Sequence, residues 1–158
     1  MARPRDVPGL DCEEPFSRAA ARVLSVRAAE LFEHVHGVRG GGDVEAIHDM
    51  RVATRRLRAA LELFEACFPR KRLRKARREL KAMGDALGER RDRDVEIEFL
   101  ERFLEEADPE DAEQVARLVV RLRVEQQQAS EGLGPAIATE RLEKLRRRLD
   151  RLIAEAGP

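Results

Sequence analysis

The chain has 158 residues, of which 42% are apolar and 39% are charged, and its 31 basic and 31 acidic residues leave no net charge. This length suffices for one domain with a single buried core, and the apolar content argues against a disordered charged tail. Only 4% of the residues are aromatic, with no Trp or Tyr, which argues against a platform that stacks on bases or sugars.

Apolar periodicity predicts an all-α domain. Residues 1–14 show no such periodicity, so we expect a flexible tail there and one helical domain over residues 15–158. No segment alternates apolar and polar residues with the period of two that is typical of strands. The expected fold is an antiparallel bundle of about six helices joined by short loops. In chain order, the predicted helices span about residues 16–37, 44–67, 69–87, 95–107, 109–130 and 136–155.

Capping residues and helix breakers set these predicted boundaries. Asp43 is a suitable N-cap for the second helix, and Pro109 suits the first position of the fifth. Gly88 is expected to end the third helix, and Asp92 to cap the fourth. The glycines and proline of residues 132–135 are expected to end the fifth.

The neutral total conceals an uneven distribution of charge along the chain. Between His48 and Arg93 there are 15 Lys and Arg residues but only 7 Asp and Glu residues, a net charge of +8 that the remainder balances with −8. Such asymmetry bears on binding partners rather than on the fold. It indicates that the middle of the chain binds a polyanion.

Two predicted helices carry a basic stripe each. Intervals of three and four residues place the basic side chains of each helix on one face. A single charged stripe is commonly only a solvated face, but two neighbouring stripes of like charge repel unless an anion lies between them. Arginine suits phosphate because its planar guanidinium donates paired, charge-assisted hydrogen bonds. The stripes consist of His48, Arg51, Arg55 and Arg58 in the second helix, and Arg70, Arg74, Arg77 and Lys81 in the third.

Single residues offer fewer indications of chemistry. His48 could donate a hydrogen bond to phosphate, in which case binding strengthens at lower pH, or it could serve packing. Asp92 is interpreted as a helix cap, and one of the two aspartates Asp92 and Asp94 as an ion-pair partner of Arg91 or another basic residue. The sequence contains no Cys/His cluster, no HExxH motif and no phosphate-binding glycine loop. We therefore expect no metal, no cofactor and no catalytic residue.

Two segments resemble the signature of the CHAD family, the conserved-histidine α-helical domain. Residues 47–64 read IHDMRVATRRLRAALELF, and residues 87–95 read LGERRDRDV. The resemblance covers about residues 16–107 and implies an all-helical, non-catalytic module whose basic surface binds inorganic polyphosphate. By position it implies that polyphosphate is bound by His48, Arg51, Arg55, Arg56, Arg58, Arg77, Lys81 and Arg91, and the stripe argument adds Arg74.

The C-terminal third departs from the family pattern. The family usually has two related helical bundles, whereas residues 108–158 contain no histidine and no second signature, so the chain resembles one half of that arrangement. Arg141, Lys144, Arg148 and Arg151 nevertheless repeat the spacing of the second helix. They either form a solvated face, complete the anion site, or belong to a homodimer in which two chains rebuild the double bundle.

Other functions remain to be weighed against polyphosphate binding. Nucleic acid could bind the same surface, but the missing aromatic residues and the zero net charge count against it. Hydrolysis of triphosphate or polyphosphate needs a divalent metal held by carboxylates, and the basic stripes contain few of them. The N-terminus has no apolar run, no window approaches a membrane span, and the two cysteines are too few for a disulfide framework. We expect a cytoplasmic protein without membrane contact.

Overall fold

The computed structural model describes residues 3–40 and 43–156, and within these ranges the chain is all-helical, with no strand. The all-α prediction is confirmed. Five helices have 18 residues or more, and one has five. In chain order they are α1 (Phe16–Glu33), α2 (Val35–Arg39), α3 (Val44–Leu63), α4 (Arg70–Leu104), α5 (Pro109–Ala136) and α6 (Thr139–Ala156), with a 3-10 turn at Glu65–Cys67.

Four helices enclose the main core. Both α1 and α4 pack against α3 and against α6, so that α1, α3, α6 and the first half of α4 form a four-helix bundle. Each contributes leucines that are shielded from solvent, such as Leu24, Leu57, Leu80 and Leu149. Removal of these side chains from water is the main force that holds the bundle together.

The fifth long helix packs on the second half of α4. These two helices form an antiparallel α-hairpin with a small core of its own, centred on Ile97, Val119 and Leu122. None of the helices among the described residues is both long and apolar enough to span a membrane.

The predicted break at Gly88 is wrong, because α4 runs without interruption from Arg70 to Leu104. Gly88 does not adopt a left-handed conformation, and Asp92 lies exposed in mid-helix, where it caps nothing. A helical glycine costs roughly 1 kcal/mol relative to alanine. The first half of α4 packs on α3 and the second half on α5, and this packing outweighs that cost.

The predicted break at residues 132–135 is wrong for a similar reason. Helix α5 continues through Gly132, Gly134 and Pro135 to Ala136, and α6 begins only at Thr139. Leu133 is buried in the main core, which holds this last turn of α5 in place. Burial of Leu133 therefore outweighs the helix-breaking tendency of the neighbouring glycines and proline.

The other boundaries agree more closely with the prediction. The Asp43 side chain accepts a hydrogen bond of 3.2 Å from the backbone N–H of Glu45, and Pro109 occupies the first turn of α5. The first predicted helix is divided at His34 into α1 and α2. The second predicted helix ends at Leu63 and is followed by the 3-10 turn.

The described residues before α1, 3–15, form no helix but do contact α1. The Arg27 guanidinium donates to the backbone oxygen of Arg5 at 2.9 Å, and Arg22 pairs with Glu14 at 3.2 Å. The division of the chain into a flexible tail of residues 1–14 and a domain of residues 15–158 stays a prediction.

Candidate anion-binding site

The packing of α3 on α4 brings the two basic stripes side by side. A Cβ atom at Gly84 would lie 3.4 Å from Cγ2 of Thr54, and one at Gly88 would lie 3.6 Å from Nε of Arg51. Residue numbers fall along α3 as they rise along α4, so the helices are antiparallel. Both are ordinary contact distances, so α4 lies directly against α3 at these two glycines, and the α3 arginines lie along this junction.

Three open grooves lie along α4, two of them at its junction with α3 and the third between the start of α4 and Glu65 of the 3-10 turn. The first, of about 480 Å³, and the second, of about 490 Å³, share Arg55 and Arg58. The third, of about 660 Å³, shares Arg74 and Arg77 with the second. These shared arginines join the grooves into one surface, which we term the basic track. Its basic residues are Arg51, Arg55, Arg58, Arg70, Lys71, Arg74, Arg77, Arg78, Lys81 and Arg93.

Several arginines of the basic track have no carboxylate partner. In the part of the chain that the structure describes, Arg51, Arg55, Arg58 and Arg74 form no salt bridge within 4.0 Å. Their guanidinium groups are therefore available to donate hydrogen bonds to a bound anion.

The arginines of α5 provide a contrast. Arg117 lies 3.3 Å from Glu113, Arg121 lies 3.8 Å from Glu125, and Arg123 pairs with Glu101. Three residues of the basic track are also paired. Arg77 contacts Glu65 at 3.0 Å, Lys81 contacts Asp85 at 2.6 Å, and Arg93 contacts Glu96 as well as Glu125, the latter at 3.2 Å. Such exposed pairs are weak, so an incoming polyanion could displace the carboxylate at little cost.

Six of the nine predicted site residues line the basic track, and three do not. His48 and Arg91 are partly exposed but line none of the three grooves. Nη1 of Arg91 is buried and has no hydrogen-bond partner. The six predicted residues that line the basic track are Arg51, Arg55, Arg58, Arg74, Arg77 and Lys81.

Arg56 is the third residue outside the basic track, and its charge acts on Glu30 of α1. Burial disfavours the charged form of Glu30, but a hydrogen bond from the Arg5 backbone N–H and another from the Arg27 guanidinium outweigh it. The positive charges of Arg27 and Arg56 act in the same direction, so the pKa of Glu30 lies below its ordinary value. Arg56 therefore contributes to the charge balance of the bundle.

Sequence reasoning missed two kinds of residue in the basic track. Arg78 and Arg93 were counted in the charge but not assigned to a stripe, because each lies one or more positions off the repeat. Three carboxylates, Asp85, Glu89 and Asp92, line the first groove, although the stripes were expected to contain few acids. Among the described residues, no group of three or more His, Cys, Asp or Glu residues is placed to hold a metal ion.

Helix α6 presents its basic residues away from its leucine seam. Leu142, Leu145, Leu149 and Leu152 form this seam and are buried. Of the basic stripe on α6, Arg148 pairs with Glu79 of α4, and Arg141 donates to the backbone oxygen of Pro135 at 3.3 Å. Lys144 and Arg151 are exposed.

A buried ion pair on α4 is hydrogen-bonded to α5. Arg90 and Asp94 pair with each other, and their side chains are only 8% and 1% exposed. Gln126 of α5 donates to Asp94 at 2.6 Å, and Arg90 donates to Ser130 at 2.7 Å. Burial lowers the pKa of Arg90, and the neighbouring charge of Arg91 lowers it further. Asp94 thus has the ion-pair role that the sequence suggested.

Comparison with known proteins gives one family and one solved structure. The family model described as the CHAD domain matches residues 22–158, which extends the resemblance past residue 107 to the end of the chain. The solved structure of PptA from Streptomyces chartreusis is similar, with a TM-score of 0.73 and 21% sequence identity, over 89% of this chain and 50% of that one. The chain thus spans about half the length of that solved chain. Among curated proteins, none matches it.

Proposed function

The chain belongs to the CHAD family, and from that premise we propose that it is a non-catalytic module that binds inorganic polyphosphate on the basic track. The observation that carries the proposal is the continuity of the track. Shared arginines join its three grooves, and within residues 3–40 and 43–156 the guanidinium groups of Arg51, Arg55, Arg58 and Arg74 have no carboxylate partner.

The chemistry of the track suits a long, repeating anion. Between Arg70 and Arg93 the track follows α4 for about 35 Å, at a rise of about 1.5 Å per residue. A linear polyphosphate carries negative charge on every phosphate unit, so it can contact successive arginines along this length. Each contact releases counterions from the polyanion, and affinity should fall steeply as salt rises.

Nucleic acid is a weaker candidate for the same surface. None of the residues that line the three grooves is aromatic, so a base would find no ring on which to stack. Competition between DNA and polyphosphate for the protein would distinguish the two ligands.

Metal-dependent hydrolysis of polyphosphate or triphosphate is the catalytic alternative. Asp85, Glu89 and Asp92 line the first groove, but the described residues contain no group of three or more such side chains placed to hold a metal ion, which counts against it. Carboxylates beside phosphates are where Mg²⁺ or Mn²⁺ would act. Release of inorganic phosphate from polyphosphate in the presence of either ion would establish this activity and refute the non-catalytic part of the proposal.

We also propose that the protein acts in the cytoplasm. Cys12 is exposed and Cys67 is partly buried, and neither forms a disulfide. Burial raises the pKa of the Cys67 thiol, which favours its unreactive form. Free thiols are typical of a reducing compartment.

The proposal is tested by titrating long-chain polyphosphate onto the protein and onto an Arg51→Ala/Arg55→Ala/Arg58→Ala variant. The variant should bind at least roughly a hundredfold more weakly, because each charge-assisted hydrogen bond contributes about 1.5–3 kcal/mol. An Arg117→Ala/Arg121→Ala/Arg123→Ala variant removes the same charge from α5 and should keep most of the affinity. Equal losses in the two variants would mean that only overall charge matters.

A further inference from the structure

The second half of α4 exposes a stripe of large apolar side chains. Val95, Phe99 and Phe103 recur every four residues on one face and are 48%, 65% and 45% exposed. On the opposite face, Ile97 is buried against α5. Monomeric proteins seldom leave several large apolar residues contiguous and exposed, so this stripe is a candidate interaction surface.

The stripe continues the face of α4 that lies against α3. Thr54 of α3 lies opposite Gly84 of α4, and Arg51 lies opposite Gly88. Continued in the same antiparallel register, Val44, the first residue of α3, lies level with Val95. Beyond that level no turn of α3 remains to cover α4. Val44 is itself 38% exposed, so the apolar surface extends onto the end of α3.

The charge around the stripe restricts what can cover it. Residues 94–113 contain ten acidic residues and one basic residue, at the end of the hairpin. A polyanion or an anionic membrane surface would be repelled here. A partner that covers the stripe therefore needs an apolar surface bordered by positive charge. This chain offers such a surface itself, because its apolar stripe adjoins the first groove of the basic track.

We propose that a second copy of this chain covers the stripe, with the two α4 helices antiparallel about a two-fold axis. Val95, Phe99 and Phe103 of each copy then pack against one another in the centre. The acidic end of each hairpin lies towards the basic track of the other copy. Two-fold pairing through one self-complementary patch is the commonest form of homo-oligomer.

The distribution of charge supports this occupant. In the antiparallel arrangement the acidic end of the hairpin of one copy faces the arginines of the first groove of the other. The inference does not depend on the proposed function, because it concerns self-association in the absence of any polyanion.

The test is sedimentation equilibrium over a wide range of protein concentration, without polyphosphate. The mass should rise from the 18.0 kDa of one chain towards twice that value. A Phe99→Gln/Phe103→Gln variant should raise the dissociation constant at least about tenfold, because it removes the apolar centre of the contact. Both side chains are exposed, so the variant should keep the helical circular dichroism spectrum of the parent chain.

The matched control lies on the other face of the same hairpin. Val120 and Val124 of α5 are 64% and 55% exposed, and a Val120→Gln/Val124→Gln variant should dimerise like the parent chain. A single-chain mass at every concentration would overturn the proposal. So would dimerisation that the α5 variant weakens and the α4 variant leaves unchanged.

Discussion

Two aspartates of α4, only two positions apart, illustrate how burial decides the role of a residue. Both belong to the charged segment between Gly88 and Val95, where the sequence predicted that Asp92 caps a helix and that one of the two aspartates forms an ion pair. Asp92 is exposed at the first groove, whereas the side chain of Asp94 is 1% exposed and pairs with Arg90. Only the structure assigns Asp94 to the α4–α5 contact.

Replacement of Asp94 by alanine should destabilise the protein strongly. It leaves Arg90 buried without its carboxylate, and the loss of one partner of a buried pair typically costs about 3–5 kcal/mol. Urea denaturation followed by circular dichroism measures the change in free energy of unfolding. Asp92→Ala is the matched control and should change that free energy by less than about 0.5 kcal/mol. Similar effects of the two substitutions would refute the assigned roles.

Among the elements, α4 is the one on which the site depends. Its 35 residues pack against α3 and α6 in the first half and against α5 in the second. One continuous helix keeps the basic track, the buried ion pair and the apolar stripe in fixed register. A break at Gly88 would uncouple the first groove from the hairpin.

A Gly88→Ala substitution tests whether this helix is continuous. Alanine is favoured over glycine within a helix by about 1 kcal/mol. The added methyl group would meet only Nε of Arg51, at the ordinary contact distance of 3.6 Å. The free energy of unfolding should therefore rise by roughly 0.5–1 kcal/mol in a denaturant titration. If Gly88 instead ended a helix in the left-handed conformation, alanine would lower that free energy by a similar amount.

The helical class and most helix starts could be predicted from the sequence because they depend on periodicity and local capping. Asp43 and Pro109 act within one turn of their own helices. The helix ends predicted at Gly88 and at residues 132–135 were wrong, because whether a glycine or proline ends a helix depends on tertiary packing, which the local sequence does not encode.

The candidate site shows the same limit. Arg51, Arg55 and Arg58 could be found because one helical face repeats them. Arg56 lies outside the basic track and acts on Glu30, whereas Asp85 lies within it. Both placements depend on which helix packs against each face of α3 and α4. The family resemblance supplied the ligand class, and the structure supplied the arrangement of the charges.

Across the described chain, positive charge predominates in one region and negative charge in another. The segment from His48 to Arg93 carries the basic track, whereas residues 94–113, at the end of the α4–α5 hairpin, contain ten acidic residues and one basic residue. A neutral chain can therefore attract a polyanion to one surface and repel it from another. This separation explains how zero net charge is compatible with the proposed ligand.

The most direct measurement is the affinity for polyphosphates of increasing length, from tripolyphosphate to long chains, at two or more salt concentrations. If the three grooves act as one basic track, affinity should rise with length until the ligand spans about 35 Å. The salt dependence should steepen in parallel, because more counterions are released. If tripolyphosphate binds as tightly as the long chains, with the same salt dependence, the ligand occupies one local site and the continuous track is refuted.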